Sequence, residues 1–217
     1  MSIKTKICGI TNVSDAEMIL PFRPNFFGFI LYKESPRYIP PDRARDIIDR
    51  IHSRVRAVGV FVNETAENVL HYARICRFDF VQLHGNESSE DIEFLKEEGV
   101  RVIRAFRLKD KSTLEEAKNC PTKFILFDAF KKGQYGGTGE VIDIKLLDLL
   151  KNDKELNKKK IFISGGLHAD NVGQVISHIT PFVVDASSKL ESAPGVKNAQ
   201  KAWAFIEKVR ELSPKLF

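Results

Sequence analysis

Residues 124–128, Phe124-Ile125-Leu126-Phe127-Asp128, form a short apolar run that ends on a single carboxyl group. Four consecutive apolar residues favour a strand that is covered on both faces, which is typical of parallel sheets with helices on each side. A polar residue directly after such a strand lies at the carboxyl end of the sheet, where parallel barrels hold their active sites. This segment therefore predicts both an architecture and the place of a functional side chain.

Seven further apolar runs recur along the chain, separated by spacers long enough for a helix. Together the eight predicted strands cover residues 3–7, 26–31, 57–62, 78–83, 102–106, 123–127, 160–163 and 182–184. Strand and helix alternate eight times, so the pattern predicts an α/β fold of the (β/α)8 TIM-barrel type. A doubly wound open sheet is the alternative, because short apolar runs do not determine whether a sheet closes.

The spacers carry signals for helices. Ser14-Asp15-Ala16-Glu17 and Ser112-Thr113-Leu114-Glu115 have the capping-box form, in which Ser and Glu bind free amide groups at the first turn. The last spacer places apolar residues on one face at helical spacing, and we expect Trp203 to join that face in the core. The other members of the face are Ala202, Phe205, Ile206, Val209 and Leu212.

Length and composition limit the class of protein. A chain of 217 residues with 43% hydrophobic content can form one barrel or two small domains. The uninterrupted alternation favours a single domain over residues 1–217. No apolar run reaches the roughly 18 residues that a membrane helix requires, and residues 1–6 lack the apolar core of a secretory signal. We therefore expect a cytoplasmic protein without a membrane partner.

Cysteine usage and charge exclude further classes. Cys8, Cys76 and Cys120 are an odd number of cysteines without C-x-x-C spacing, which argues against a disulfide framework and a thiolate zinc site. The net charge is +5, with the basic residues scattered along the chain. We interpret Lys158-Lys159-Lys160 as a solvated loop, with nucleic-acid binding as the alternative. A weakly positive surface also helps to attract an anionic substrate.

Cys8 ends the first predicted strand, so the barrel places it at the same mouth as Asp128. Cys8 is either a small buried hydrophobe or, because Gly9 leaves room for a ligand, a thiolate that acts as general base or nucleophile. Asp128 is either a loop cap or partner of Lys131, or a carboxyl group kept protonated by apolar surroundings and able to donate a proton. The second interpretation of each residue predicts a proton-transfer site. Cys76 and Cys120, near the ends of helical spacers, are interpreted as structural.

Two more strand ends carry polar candidates. Arg37, in Ser35-Pro36-Arg37-Tyr38 after the second strand, is predicted to bind a substrate carboxylate through its two-pronged geometry, a solvated arginine being the alternative. Gln82 and His84 lie at the end of the fourth strand and are candidate substrate contacts, although His84 is equally compatible with an ordinary loop histidine. No second histidine stands at H-E-x-x-H spacing, so no metal site is predicted.

The loops after the seventh and eighth strands have the character of phosphate sites. Ser164-Gly165-Gly166 precedes a helix that we expect to be capped near Asp170, and Asp185-Ala186-Ser187-Ser188 follows the last strand. Glycines let a ligand approach the backbone closely, and barrels frequently bind phosphate with these two loops. The predicted phosphate ligands are Gly165, Gly166, Ser187 and Ser188, and Asp185 is a candidate substrate contact. Residues 133–139 form a glycine-rich loop that lacks the lysine of a P-loop, so we interpret it as a loop over the site.

These motifs, taken in order, resemble the phosphoribosylanthranilate isomerase family of tryptophan biosynthesis. The segments that carry the resemblance are Lys6-Ile7-Cys8-Gly9-Ile10-Thr11, Ser35-Pro36-Arg37-Tyr38, Gly59-Val60-Phe61-Val62-Asn63, Val81-Gln82-Leu83-His84-Gly85, Phe127-Asp128-Ala129, Tyr135-Gly136-Gly137-Thr138-Gly139, Ser164-Gly165-Gly166-Leu167, Ser187-Ser188 and Glu191-Ser192-Ala193-Pro194-Gly195-Val196-Lys197. Two positions depart from the family pattern: Lys189 stands where glycine is more usual, and Ala186 where valine is.

The resemblance implies an Amadori rearrangement of N-(5'-phosphoribosyl)anthranilate to 1-(2-carboxyphenylamino)-1-deoxyribulose 5-phosphate, without metal or cofactor. It implies that Asp128 is the general acid at the ring oxygen and Cys8 the general base at C2'. Arg37 would bind the anthranilate carboxylate, and the loops around Gly165 and Ser187 the phosphate.

The family includes monomers, dimers and fusions, so a homodimer is compatible with the resemblance. Two other functions stay open: the histidine-pathway Amadori enzyme, which uses Asp as both acid and base, and a binding protein without catalysis.

Overall fold

The computed structural model describes residues 2–51, 54–129 and 144–213. Eight parallel strands close into one barrel in chain order: β1 (Lys4–Cys8), β2 (Phe26–Ile30), β3 (Arg56–Phe61), β4 (Phe80–Leu83), β5 (Val102–Leu108), β6 (Phe124–Ala129), β7 (Lys160–Ile163) and β8 (Val183–Ala186). The first and last strands pair at four register positions. The predicted TIM barrel is therefore confirmed, and the open-sheet alternative is excluded.

An α-helix follows each strand. The helices are α1 (Val13–Ile19), α2 (Pro41–Ile51), α3 (Ala66–Ile75), α4 (Ser89–Glu97), α5 (Lys111–Asn119), α6 (Ile144–Asn152), α7 (Val172–His178) and α8 (Ala199–Leu212). A short antiparallel hairpin, β9 (Glu191–Ala193) and β10 (Val196–Lys197), is inserted between β8 and α8. None of the described helices combines the length and apolar character needed to cross a membrane.

The predicted strand ends lie within two residues of the observed ones, but both predicted capping boxes are wrong. α1 begins after Asn12 and α5 after Asp110, and the side chains of these residues accept the first amide hydrogens. Ser14 and Ser112 therefore lie inside the first turns. The physical reason is that the side chains of Asn12 and Asp110, two residues before the predicted caps, already satisfy the free amide groups.

The last helix confirms most of its predicted core face. Ala202, Phe205, Ile206 and Val209 are buried, whereas Leu212 is exposed. The prediction for Trp203 is wrong, because 53% of its surface is exposed. Each residue of a helix is rotated by about 100° from the previous one, so Trp203 points away from the direction that buries Ala202. The Lys158-Lys159-Lys160 run is also not a single loop, since Lys160 begins β7.

The lower part of the barrel interior is filled by an apolar layer. Its members are Phe26, Val58, Phe80, Ile103, Ala105, Leu126, Phe162 and Val183. The ring of Phe26 lies 5.8 Å from those of both Phe80 and Phe162, and the Phe80 ring lies 5.1 Å from that of Phe124. Edge and tilted contacts at these distances stabilise aromatic clusters. The barrel is therefore a packed core, and a ligand reaches its interior only from the carboxyl ends of the strands.

Above the apolar layer, the same inward faces carry a polar layer. We define it as Lys6, Cys8, Gln82, Asp128, Ser164 and Asp185, all buried. Side chains of a strand alternate between its faces, so a residue two positions after an inward one also faces inward. Gln82, Asp128 and Asp185 each stand two positions after a member of the apolar layer. The strand period thus places these polar groups at the barrel mouth.

Candidate active site

The predicted catalytic and substrate-binding side chains lie at one end of the barrel. Cys8 is the last residue of β1, and Asp128 is the last but one of β6. Gln82 and Asp185 lie within the last residues of β4 and β8, while Arg37 follows β2 beside its bridge from Ile30 to Tyr38. The strand ends therefore bring together groups separated by up to 177 positions in sequence, from Cys8 to Asp185.

The β1 and β8 side of the mouth holds a buried ion pair that the sequence analysis missed. Lys6 is fully buried, and its Nζ donates to Asp185 Oδ2 over 2.7 Å. Burial disfavours the charge of Lys6, but Asp185 and the Cys8 thiol outweigh it, so the pKa of Lys6 is raised. The available signal was its position two residues before Cys8, which puts both side chains on one face of the strand.

Cys8 lies in a buried and strongly charged environment. Burial raises the pKa of the Cys8 thiol; the ammonium groups of Lys6 and Lys197 lower it, and the carboxylate of Asp185 raises it. The thiol packs over β2 where Gly28 has no side chain, since a Cβ there would stand 2.6 Å from Cys8 Sγ. The affinity of the Cys8 sulfur for a proton therefore depends on the opposing effects of burial and Asp185, which raise its pKa, and of Lys6 and Lys197, which lower it.

Asp128 belongs to a chain of polar contacts that crosses the mouth. Ser164 Oγ donates to Asp128 Oδ1 over 2.7 Å, and His84 Nε2 lies 3.5 Å from Asp128 Oδ2. Gln82 Nε2 lies 2.8 Å from His84 Nδ1. An amide nitrogen can only donate, so this assignment makes Nδ1 the acceptor and places the hydrogen of a neutral ring on Nε2, facing Asp128. Lys131, the alternative partner of Asp128, lies outside the described residues.

Three buried polar atoms of this region lack a hydrogen-bond partner among the described residues. They are Gln82 Oε1, His84 Nε2 and Asp185 Oδ1. Buried polar atoms in native proteins are nearly always paired, so an unpaired set at one end of the barrel points to atoms that a ligand satisfies. All three belong to residues predicted from the sequence to contact substrate.

Arg37 is held by a carboxylate of the protein. Its Nε donates to Glu191 Oε1 over 2.9 Å and its Nη2 to Glu191 Oε2 over 2.8 Å. Glu191 Oε1 also accepts from Lys197 Nζ over 2.7 Å. In the sequence, Glu191 and Lys197 stand out only as members of the family motif, without a predicted role. One edge of the Arg37 guanidinium is thus already occupied before any substrate arrives.

The two predicted phosphate loops are neighbours because β7 and β8 are paired. Gly165 and Gly166 have φ values of 109° and 62°, which residues with side chains rarely adopt. The Ser187 hydroxyl donates to the carbonyl of Cys8 over 3.0 Å, so this loop is tied to the end of β1. The helix after the first loop is preceded by Asn171, one position later than the expected cap near Asp170.

No group of three or more His, Cys, Asp or Glu side chains suited to a metal ion occurs in the described ranges. Cys76 and Cys120 are buried residues that follow the last turns of α3 and α5, and burial raises the pKa of Cys76 to about 11. Both fit the structural interpretation. The glycine-rich segment 133–139 lies outside the described residues.

Comparisons with known proteins show which family the whole chain resembles. Residues 5–208 match the family model described as N-(5'phosphoribosyl)anthranilate (PRA) isomerase. An enzyme named N-(5'-phosphoribosyl)anthranilate isomerase from Sulfurihydrogenibium sp. (strain YO3AOP1) is 41% identical over 207 residues, which cover 94% of this chain and 98% of that one.

Solved structures agree. The phosphoribosyl anthranilate isomerase of Thermotoga maritima superposes with a TM-score of 0.87 at 34% identity, covering 96% of this chain and 99% of that one. A phosphoribosyl anthranilate isomerase in complex with reduced 1-(o-carboxyphenylamino)-1-deoxyribulose 5-phosphate gives a TM-score of 0.84 at 34% identity, with the same coverage.

Proposed function

This chain belongs to the N-(5'-phosphoribosyl)anthranilate isomerase family of tryptophan biosynthesis, and we propose that Asp128 and Cys8 catalyse its Amadori rearrangement as general acid and general base. The substrate would be N-(5'-phosphoribosyl)anthranilate and the product 1-(2-carboxyphenylamino)-1-deoxyribulose 5-phosphate. Asp128 gives a proton to the ring oxygen, and the furanose opens to a protonated Schiff base. Cys8 then removes the proton from C2', and the resulting enolamine tautomerises to the aminoketone. The tautomerisation adds a proton to C1' and removes one from the C2' hydroxyl, and proton exchange with water returns Asp128 and Cys8 to their starting forms, so atoms and electrons balance without a cofactor.

One observation carries this proposal: two buried proton-transfer groups stand apart at the same mouth. In the barrel order, β1 and β6 are separated by β7 and β8 on the shorter way round. A sugar placed between them would present its ring oxygen to one group and C2' to the other. The hydrogen bond from Ser164 orients the Asp128 carboxyl group, and His84 Nε2 lies near its other oxygen. General acid or base catalysis by a positioned side chain contributes about 10² to 10⁴ in rate.

The other predicted contacts divide the substrate between the two sides of the mouth. In this proposal Arg37 binds the anthranilate carboxylate, and Gly165, Gly166, Ser187 and Ser188 bind the phosphate. Gln82, His84 and Asp185 have the unpaired buried atoms described above, which would bind the hydroxyl groups of the opened sugar. Because the acid form of Asp128 and the thiolate form of Cys8 must coexist, we expect a bell-shaped pH profile in single turnover.

The direct test is conversion of N-(5'-phosphoribosyl)anthranilate by the purified full chain, together with complementation of a tryptophan auxotroph that lacks this isomerase. We expect turnover and growth with the wild type, and turnover lower by at least about 10²-fold with Asp128→Asn. The aminoaldose substrate of the histidine-pathway isomerase serves as the comparison. Preference for that substrate, or binding without turnover of either one, would overturn the proposal.

We also propose that residues 1–217 form one catalytic domain that works in the cytoplasm as a monomer or homodimer, without nucleic-acid or membrane partners. Light scattering of the purified chain gives the oligomeric state, and a single cooperative unfolding transition is the expected signature of one domain.

A further inference from the structure

The hairpin formed by β9 and β10 is an addition to the (β/α)8 plan, and it is anchored at the barrel mouth. Thr11 Oγ1 donates to the Gly195 carbonyl over 2.6 Å, and the Lys197 backbone nitrogen donates to Asp15 Oδ2 over 2.7 Å. Both partners follow the end of β1. The hairpin is therefore tied to the loop that begins at the candidate base, although the proposed chemistry assigns it no task.

The first residue of the hairpin is a buried carboxylate between two cations. Only 7% of Glu191 is exposed; both of its oxygens accept from Arg37, and Oε1 also accepts from Lys197. Burial disfavours its charge, but hydrogen bonds from Arg37 and the charge of Lys197 outweigh this, so the pKa of Glu191 is lowered. Lys197 Nζ also donates to the Ser187 carbonyl over 3.3 Å. Glu191 is thus a buried anion that Lys197 holds through an oxygen it shares with Arg37.

The stem of Arg37 is fixed as well. It lies against Gly9, whose φ is +80°, and a Cβ at Gly9 would stand only 2.8 Å from Arg37 Cδ. The aliphatic part of Arg37 therefore occupies space that only glycine leaves open, directly beside Cys8. With its stem on Gly9 and its head on Glu191, this long side chain has one defined orientation although 17% of it is exposed.

The hydrogen bonds of Arg37 show which of its donors are left. Glu191 takes the edge formed by Nε and Nη2. The end-on edge formed by Nη1 and the second hydrogen of Nη2 makes no hydrogen bond within the described parts of the chain. A guanidinium offers five N–H groups in a rigid fork, so a second carboxylate can bind that edge with two parallel hydrogen bonds.

We propose that Glu191, held in place by Lys197, is the positioning residue that presents the end-on edge of Arg37 to the carboxylate of the anthranilate ring. The inference rests on the proposed function, because that function supplies the carboxylate. An arginine held in its binding orientation loses less rotamer freedom when ligand arrives. Glu191 therefore raises affinity for the carboxylate without touching the substrate.

The test compares two ligands and a double-mutant cycle in the full chain. The first ligand is the reduced product, reduced 1-(o-carboxyphenylamino)-1-deoxyribulose 5-phosphate, and the second is the same compound with phenyl in place of carboxyphenyl. Titration calorimetry on wild type, Glu191→Gln, Arg37→Lys and the double variant gives dissociation constants for both. The matched control is Glu98→Gln, which removes a carboxylate from Arg74 in the α3 and α4 region.

We expect Glu191→Gln to weaken binding of the carboxylated ligand by about tenfold, the scale of one charge-assisted hydrogen bond. Binding of the phenyl ligand should change by less than about twofold, and Glu98→Gln should change neither. Since Glu191 acts through Arg37, the double variant should bind no worse than Arg37→Lys alone. Equal losses for both ligands, or fully additive losses in the cycle, would refute the positioning role.

Two controls keep the outcomes distinct. If Glu191→Gln does not fold, Glu191→Asp replaces it, because this variant keeps the charge but moves it away from Arg37 by one methylene. We then expect a larger loss of affinity for the carboxylated ligand than for the phenyl ligand. No difference between wild type and Glu191→Asp for either ligand would then overturn the inference. Failure of wild type to bind either ligand would instead count against the proposed function.

Discussion

The apolar layer and the polar layer occupy the same inward faces of the same strands, yet they are built on opposite principles. In the apolar layer, the ring of Phe26 lies 5.8 Å from those of Phe80 and Phe162, and the side chains carry no polar atoms. In the polar layer and the adjoining His84, three buried atoms of the described chain lack partners. A step of two residues along a strand thus separates a region optimised for stability from one that retains unsatisfied groups for a ligand.

The stability of the apolar layer offsets the free-energy cost of burying the polar layer. Closely packed aromatic side chains raise the free energy of unfolding, whereas the burial of charged and polar groups lowers it. The lower layer also closes the barrel from below, so water and substrate meet the polar groups from one direction only. Substitutions in the apolar layer should therefore change mainly the free energy of unfolding, and substitutions in the polar layer mainly the turnover.

The largest effect is expected in the apolar layer. Phe162→Ala should lower the free energy of unfolding by about 3 to 5 kcal/mol, because Phe162 is fully buried and its removal leaves a cavity. Urea denaturation measures the loss. Trp203→Ala is the matched aromatic control and should cost less than about 1 kcal/mol, since its ring is half exposed. Similar losses for both variants would contradict the described packing.

In the polar layer the expected effect falls on turnover. Cys8→Ser and Asp128→Asn should each reduce turnover by at least about 10²-fold while the protein stays folded, because each change removes a proton-transfer group and nearly preserves volume. Initial rates with the proposed substrate give the effect. Cys76→Ser, a buried thiol at the end of α3, is the control for loss of a sulfur and should keep its turnover. Near-normal turnover in Cys8→Ser would remove it from the mechanism.

Gly28 lies where the two layers meet. Gly28→Ala should lower the free energy of unfolding by about 1 to 3 kcal/mol, since the new Cβ would stand 2.6 Å from Cys8 Sγ and 3.1 Å from Cys8 Cα. Turnover should fall as well, because the thiol is displaced. Gly173→Ala is the control, as its Cβ would meet only Leu212 Cδ1 at 3.4 Å. A fully stable and active Gly28→Ala would show that the sulfur does not pack there.

The smallest effect concerns the titration of Cys8. Its thiolate form increases with pH, and the raised pKa places the midpoint of iodoacetamide labelling above the usual value of about 8.5. Lys6→Met should move this midpoint further up, because a cation near the sulfur is lost. Lys4→Met, on the same strand but against the Phe182 ring, should leave it unchanged. Peptide mass spectrometry isolates the Cys8 signal, and a downward shift in Lys6→Met would contradict the charge balance.

Much of the division into an apolar layer and a polar layer could be predicted from the sequence. The apolar runs determined the middle of every strand, and the residue types at the strand ends pointed to Cys8, Asp128 and Asp185. The helix starts were less predictable, because Asn12 and Asp110 compete with nearby serines for the same amide hydrogens. Trp203 stands three residues before Ile206, a spacing that an apolar helix face also uses, so the sequence pattern alone does not separate it from the buried face.

The missed residues share a physical cause. Lys6 reads as a surface lysine, since lysine is almost never buried without a partner, and its partner lies 179 residues away. Glu191 and Lys197 likewise acquire meaning only when the hairpin folds back on Arg37. Sequence periodicity indicates which face a side chain occupies, but it does not give the register between distant strands that pairs one charge with another.

The pairing of Lys6 with Asp185 has a consequence for how the protein is made. During synthesis at about 5 to 20 residues per second, the ammonium group emerges roughly 10 to 35 seconds before its carboxylate. Until β8 arrives, β1 has an open edge and Lys6 has no counter-ion with which to be buried, so the nascent chain cannot close prematurely around it. Charge neutralisation and barrel closure are one event, and the last barrel strand to leave the ribosome completes both.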